Sequence, residues 1–157
     1  MDDLQKNFSC PSLTPEQKNL FNEGFHLLEH VKAHKDEFSD YSFIVFPFAK
    51  AYEGYLKGFF LDKGLISRDD FYSRHFRIGK AMSPSLGARL RPGSVYKKIC
   101  DRFGCDLSEE IWQTWKKGRN EVFHYFADNV KALSLAEAEE RIQMILKTVR
   151  KTCEELH

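Results

Sequence analysis

Apolar residues recur at helical spacing along most of the chain. Between Thr14 and about Ala33, Leu20, Leu27, Leu28 and Val31 fall on one face of a 3.6-residue period, which predicts an amphipathic helix. Thr14 offers the cap, Pro15 takes the first helical position and Gln17 stands where a capping-box partner belongs. From about Tyr41 to Lys63 apolar side chains occur on nearly every side: Phe43, Ile44, Val45, Phe48, Ala51, Tyr52, Tyr55, Leu56, Phe59 and Phe60. A helix of that kind belongs in the middle of a bundle. Asp40 or Ser39 supplies its cap and Gly64 ends it. Pro47 either kinks it or marks its first turn, and the kink is the preferred reading. Ser67, with Asp69 and Asp70 behind it, opens a short helix, and Ser94 to Phe103 forms another that Gly104 closes. Ser108 then caps a helix whose buried stripe is Ile111, Trp115, Gly118 and Val122, with Glu109 and Glu110 near its positive end. Ser134 caps the last helix, which runs to about Glu155 with Ile142, Ile145, Leu146 and Val149 inward. The pattern predicts an all-α bundle: a loose arm over residues 1–13, then a single domain over residues 14–157, without internal repeats.

Composition agrees with this. The chain has 157 residues, enough for one sizeable core, and 42% of them are hydrophobic. A net charge of +1 excludes nothing, but the distribution is uneven. No acidic residue occurs from Phe71 to Cys100, where Arg74, Arg77, Lys80, Arg89, Arg91, Lys97 and Lys98 gather. That stretch, with its Ser83-Pro84 and Arg91-Pro92-Gly93 turns, predicts a long basic loop, either a solvated face or a guide for a polyanion. Cys10, Cys100, Cys105 and Cys153 lack zinc-site spacing and read as reduced thiols. The polar start, Met1 to Asn7, does not resemble a signal peptide, and Lys50, Glu53 and Lys57 interrupt the longest apolar run. The expectation is a soluble, cytoplasmic protein without a membrane span.

The segment Gly118-Arg119-Asn120-Glu121-Val122-Phe123-His124-Tyr125 carries the most chemistry. Cleavage of RNA by its own 2′-hydroxyl needs a group that moves protons and a cation that stabilises a crowded phosphorane. Histidine suits the first task because it titrates near neutrality. Arginine suits the second because its fixed fork grips phosphate oxygens and keeps its charge. Neither requires a metal or another cofactor. On a straight helix, however, five residues turn Arg119 and His124 about 140° apart, whereas Asn120 and His124 share a face. Arg119 then falls near Trp112 at the edge of the apolar stripe. Either the helix distorts beside Gly118, or the site is assembled between two copies.

Lys50, Glu53 and Lys57 form a narrow charged stripe on the core helix, with Gly54 beside it. Unpaired charge is costly to bury, so this stripe meets water, partners or substrate. Glu53 is placed to orient Arg119 or His124, and Lys50 or Lys57 to hold a phosphate; a Glu53–Lys57 pair on a wet face is the plain alternative. His26, His30 and His34 lie four residues apart on the first helix, a spacing open to zinc but more simply a solvated face.

Arg119-Asn120-Glu121-Val122-Phe123-His124 is similar to the Arg-polar-x-x-x-His signature of the HEPN superfamily. The run from Phe46-Pro47-Phe48 to Tyr55-Leu56-Lys57 resembles the long helix of the C-terminal HEPN domain in RnlA- and LsoA-type toxins, with Glu53 at the position of that helix's functional Glu. The resemblance covers most of the chain from Thr14 onward and extends to element order. It implies an HEPN-like bundle with a basic loop or short-helix excursion in the middle. It also implies a homodimer whose two Arg-His pairs share a cleft, and metal-independent endoribonuclease activity leaving 2′,3′-cyclic phosphates. The role implied is that of a toxin or antiphage effector restrained by a protein antitoxin. The residues it points to are Arg119, His124, Glu53 and Asn120 for catalysis. Lys50, Lys57, Arg74, Arg77, Lys116 and Lys117 would hold RNA backbone. The HepT branch has Tyr two positions after the His; here that position is Phe126, so control by nucleotidyl transfer is not implied. The alternative is a catalytically inactive bundle that binds an antitoxin, a nucleotide or a partner protein.

Overall fold

The computed structural model describes residues 8–34, 38–85 and 93–155, and among them all regular structure is helical. Helix α1 spans Pro15–His34, α2 Ser42–Asp62, α3 Arg68–Tyr72, α4 Ile78–Ala81, α5 Val95–Phe103, α6 Cys105–Trp115 and α7 Leu135–Glu155. A π-helical turn, Lys116–Asn120, prolongs α6, and a 3-10 turn, Ala127–Asn129, precedes α7. No helix among the described residues is long and apolar enough to cross a membrane.

The helix ends follow local chemistry. Thr14 and Gln17 form a reciprocal capping box, as do Ser67 with Asp70 and Ser134 with Glu137. Gly64, at φ 63°, ends α2: its amide donates to the Leu61 carbonyl and that of Leu65 to the Phe60 carbonyl. Helix α2 runs through Pro47 instead of starting there. Ser108 is not a cap. Gly104, at φ 98°, turns the chain in one residue from α5 into α6, and Ser108 lies inside α6, its hydroxyl donating to the Tyr96 carbonyl at 2.7 Å.

Helix α2 is the central element, packed by α1 on one side and α7 on another. Ile44, Val45, Phe48, Tyr52, Leu56 and Phe60 are all fully buried. The buried stripe of α1 is Phe21, Gly24, Phe25, Leu28 and Val31; Leu20 and Leu27, expected on that face, flank it half-buried. The shift follows ring packing, because Phe21 and Phe25 close on Phe48 at 6.0 and 5.2 Å between centroids. Buried hydroxyls are paired: Tyr55 with Thr152 at 2.8 Å, and Thr114 with Thr148 at 2.9 Å.

Three expectations change. Residues 8–13, read as part of a loose arm, pack on the core: Cys10 and Leu13 are buried, and the Phe8 ring lies 4.7 Å from that of Phe21. The cysteines, read as reduced thiols, are joined as Cys10–Cys153 and Cys100–Cys105; the first ties the entry segment to α7. The basic excursion contains α4, anchored by the buried Ile78 and Met82, so apolar contacts hold it where charge alone predicted a loop. Arg89 and Arg91 lie outside the described residues.

Asp40 fastens the start of α2 to the loop before α7. Its carboxylate accepts from the Ser42 amide and hydroxyl at 2.9 and 2.5 Å, from the Leu133 amide at 3.2 Å and from Asn129 Nδ2 at 3.2 Å. Desolvation works to raise its pKa, but the hydrogen bonds from Ser42, Leu133 and Asn129 outweigh it and hold the carboxyl below its ordinary range. Its folded pKa is therefore lower than its unfolded value of about 3.9. The stabilisation is present above that value and is lost as pH falls through the folded pKa. Asp40→Ala should destabilise by roughly 1 kcal/mol near neutrality, reduced from a fully buried network by its partial exposure. Melting wild type and variant from pH 7 down to pH 2 tests this, since the difference should shrink only in the acid range.

Candidate active site

The local sequence breaks the α-helix where the chemistry is concentrated. Helix α6 ends at Trp115, and the Glu121 amide donates to the Lys116 carbonyl at 2.9 Å, a five-residue step that widens the turn. The distortion surrounds Gly118, which is buried against α7. A Cβ on Gly118 would stand 3.1 Å from the Ile145 side chain, so the absence of one lets the turn sit against α7. The helix is distorted beside Gly118, one of the two expectations from the Arg119–His124 spacing, but the distortion gives the two residues different partners.

The widened turn seats Arg119 over the Trp115 ring, its guanidinium carbon 5.0 Å from the ring centroid, and not beside Trp112 as a straight helix suggested. From there Arg119 Nε reaches Glu53 Oε2 on α2 at 3.4 Å. Their side chains are 34% and 35% exposed, so this is a pair at a wet surface and contributes little to stability. Its consequence is positional. Two elements 66 residues apart in sequence meet at one carboxylate and one guanidinium.

That pair lines a cavity of about 330 Å³, whose other walls are Phe46, Ala49, Lys50 and Phe123. Lys50 Nζ lies 5.8 Å from the centroid of the Phe46 ring, and Phe46 meets Phe123 edge to face at 5.6 Å. Phe46 and Phe123 were absent from the expected site. The signal for Phe46 was its place four residues before Lys50 and seven before Glu53, on the same side of α2. Phe123 carried no comparable signal, because the path of the chain after the π turn decides where it points.

His124 is not among the residues that line this cavity. It is exposed, and its Nε2 lies 3.0 Å from Asn120 Oδ1. Because that oxygen only accepts, Nε2 is the donor in this arrangement, and in a neutral imidazole Nδ1 is then the acceptor. Asn120 thus orients His124, while Glu53 orients Arg119; within one copy the two halves are not joined by a hydrogen bond.

The basic residues divide by location. Lys50 lies at the cavity, and Lys57 is half-buried two turns further along α2. Lys116 and Lys117 are exposed on the π turn, with Lys116 Nζ 3.9 Å from Glu121. Arg74 and Arg77 are exposed beside α4, and Arg77 donates to the Arg74 carbonyl at 3.0 Å. Gly79 of α4 abuts Trp115, since a Cβ there would come 3.0 Å from the indole nitrogen. The tryptophan beneath Arg119 therefore also seats the basic excursion.

His26, His30 and His34 line an exposed face of α1, where the His30 and His34 rings stack at 4.1 Å and His34 Nδ1 donates to the His30 carbonyl at 2.8 Å. Among the described residues no three His, Cys, Asp or Glu side chains converge as a metal site. Comparison with protein-family profiles, with curated proteins and with solved structures finds no match to this chain.

Proposed function

We propose that this chain is an HEPN-type endoribonuclease that cleaves RNA by attack of the 2′-hydroxyl on the adjacent phosphate, and that it serves as the toxin of a toxin–antitoxin or antiphage system. The observation that carries the reading is the π turn. It presents Arg119 to Glu53 at a cavity mouth while leaving His124 exposed and oriented by Asn120. This turn ends α6 where the Arg-His signature lies, so the chain leaves the helix before His124.

In this mechanism His124 Nδ1 accepts the 2′-hydroxyl proton as the 2′-oxygen bonds to phosphorus. The 5′-oxygen leaves with its electron pair and takes up a proton, giving a 5′-hydroxyl and a 2′,3′-cyclic phosphate. Arg119 stabilises the extra charge on the phosphorane oxygens, and Glu53 holds Arg119 in register. Arg119 and His124 are not joined within one copy, so a homodimer supplies the second half of each site in a shared cleft. Lys50, Lys57, Lys116, Lys117, Arg74 and Arg77 attract the RNA backbone.

The test is incubation of the purified protein with RNA in EDTA. The expected result is cleavage with cyclic phosphate ends, abolished when the scissile nucleotide lacks its 2′-hydroxyl. A dimeric protein inert towards every RNA offered would overturn the proposal. It would favour a binding module instead, a reading to which the neutralising Glu53–Arg119 pair also lends itself.

A further inference from the structure

We propose that Phe46 and Phe123 form a nucleobase platform, so that the site takes an unpaired nucleotide beside the phosphate held by Arg119. The inference deepens the nuclease reading and rests on it for the reaction, though not for binding.

Both rings are exposed, Phe46 at 52% and Phe123 at 36%, and of the exposed rings these two line the cavity beside Arg119. Exposed phenyl groups facing a cavity are unfavourable in water unless something covers them. They meet at an interplanar angle of 84°, so they form a corner: a flat ligand stacks on one ring while its edge abuts the other. The cavity of about 330 Å³ lies at the small end of ligand pockets, suited to one base and not to a helix. Two cations, Lys50 and Arg119, stand on its rim against one carboxylate, Glu53. An aromatic corner with a net positive rim fits a flat ring carrying an anion, which describes a nucleotide. A base inside a duplex has both faces covered by its neighbours, so only an unpaired one reaches the corner.

The experiment uses a short oligoribonucleotide that carries one 2-aminopurine and is 2′-deoxy throughout the cleavable positions. It is titrated into the full chain both single-stranded and annealed to its complement. Fluorescence quenching on binding the single strand, and at least tenfold weaker binding of the duplex, is expected. Phe123→Ala and Phe46→Ala should each weaken single-strand binding by about tenfold, the scale of one lost base–aromatic stack. Phe123→Trp should restore it. Because both side chains are exposed, the variants should keep the wild-type helical content and melting temperature, and these are measured alongside. Equal affinity of wild type and both alanine variants overturns the platform, as does duplex binding as tight as single-strand binding. So does a change in oligomeric state with nucleotide affinity unaltered, which would make the rings an interface between copies. Stacking without any cleavage of all-ribose RNA leaves the platform standing and removes the nuclease reading. Cleavage unaffected by either alanine variant, with affinity unaltered, does the reverse.

Discussion

His124→Ala should slow RNA cleavage by about 10²- to 10⁴-fold, the range over which a positioned acid–base group acts. The side chain is exposed, so its loss should leave the fold within about 0.5 kcal/mol of wild type. Arg119→Ala should cost about 10²- to 10³-fold, as does removal of one donor to a developing anion. Arg119→Lys should recover little, because a single ammonium cannot reproduce the planar fork of donors. The decisive measurement mixes the two inactive variants. If Arg119 of one copy works with His124 of the other, a mixed dimer contains one intact pair, and activity returns on mixing. Activity that stays at the level of the single variants would mean that each copy works alone, with His124 swinging to its own Arg119. Both variants cleaving at the wild-type rate would remove the pair from catalysis.

Phe48→Ala should destabilise the protein by about 3–5 kcal/mol, and Gly24→Ala by about 1–3 kcal/mol. Together they should cost less than the sum. Phe48 is fully buried on α2, between the rings of Phe21 and Phe25. Gly24 is the point where α1 comes closest to that ring: a Cβ there would stand 2.5 Å from Phe48 Cε2. Alanine gains about 1 kcal/mol of helix propensity over glycine, so the clash is partly offset. Once Phe48 is truncated the clash disappears and the added methyl fills part of the cavity. A coupling of 1 kcal/mol or more in a denaturant-unfolding cycle is the expected result. Strict additivity would show that α1 relaxes away from α2 freely and that the glycine is not needed for their approach.

Much of the bundle was legible because helices announce themselves locally. The helix starts at Thr14, Ser67 and Ser134 and the Gly64 stop needed only a few neighbouring residues, and all four formed as read. The long apolar run around Phe48 and Tyr52 could only be a central helix. Errors came where distant partners compete. Ser108 looks like a cap, but Gly104 turns the chain earlier and Tyr96 takes the hydroxyl. The basic stretch looked irregular because its two anchors, Ile78 and Met82, are too sparse to give a period.

The distortion at Arg119 and His124 shows the same division. Their identity, the polar residue between them and the charged stripe on α2 are properties of the sequence, and they identified Glu53 as the partner to examine. The spacing also required a broken helix or a second copy, because a straight helix holds the two residues apart. Sequence could not show the distortion itself, which depends on how closely α7 approaches Gly118. Ile145 sets that distance, the π turn accommodates it, and Arg119 is thereby carried over Trp115 to Glu53. Phe123 follows the same turn to Phe46 and closes the cavity. Local propensity thus determined the helices and the chemical groups on them. Packing between residues far apart in the chain decided which groups face one another, because such contacts carry no periodic signature along the chain.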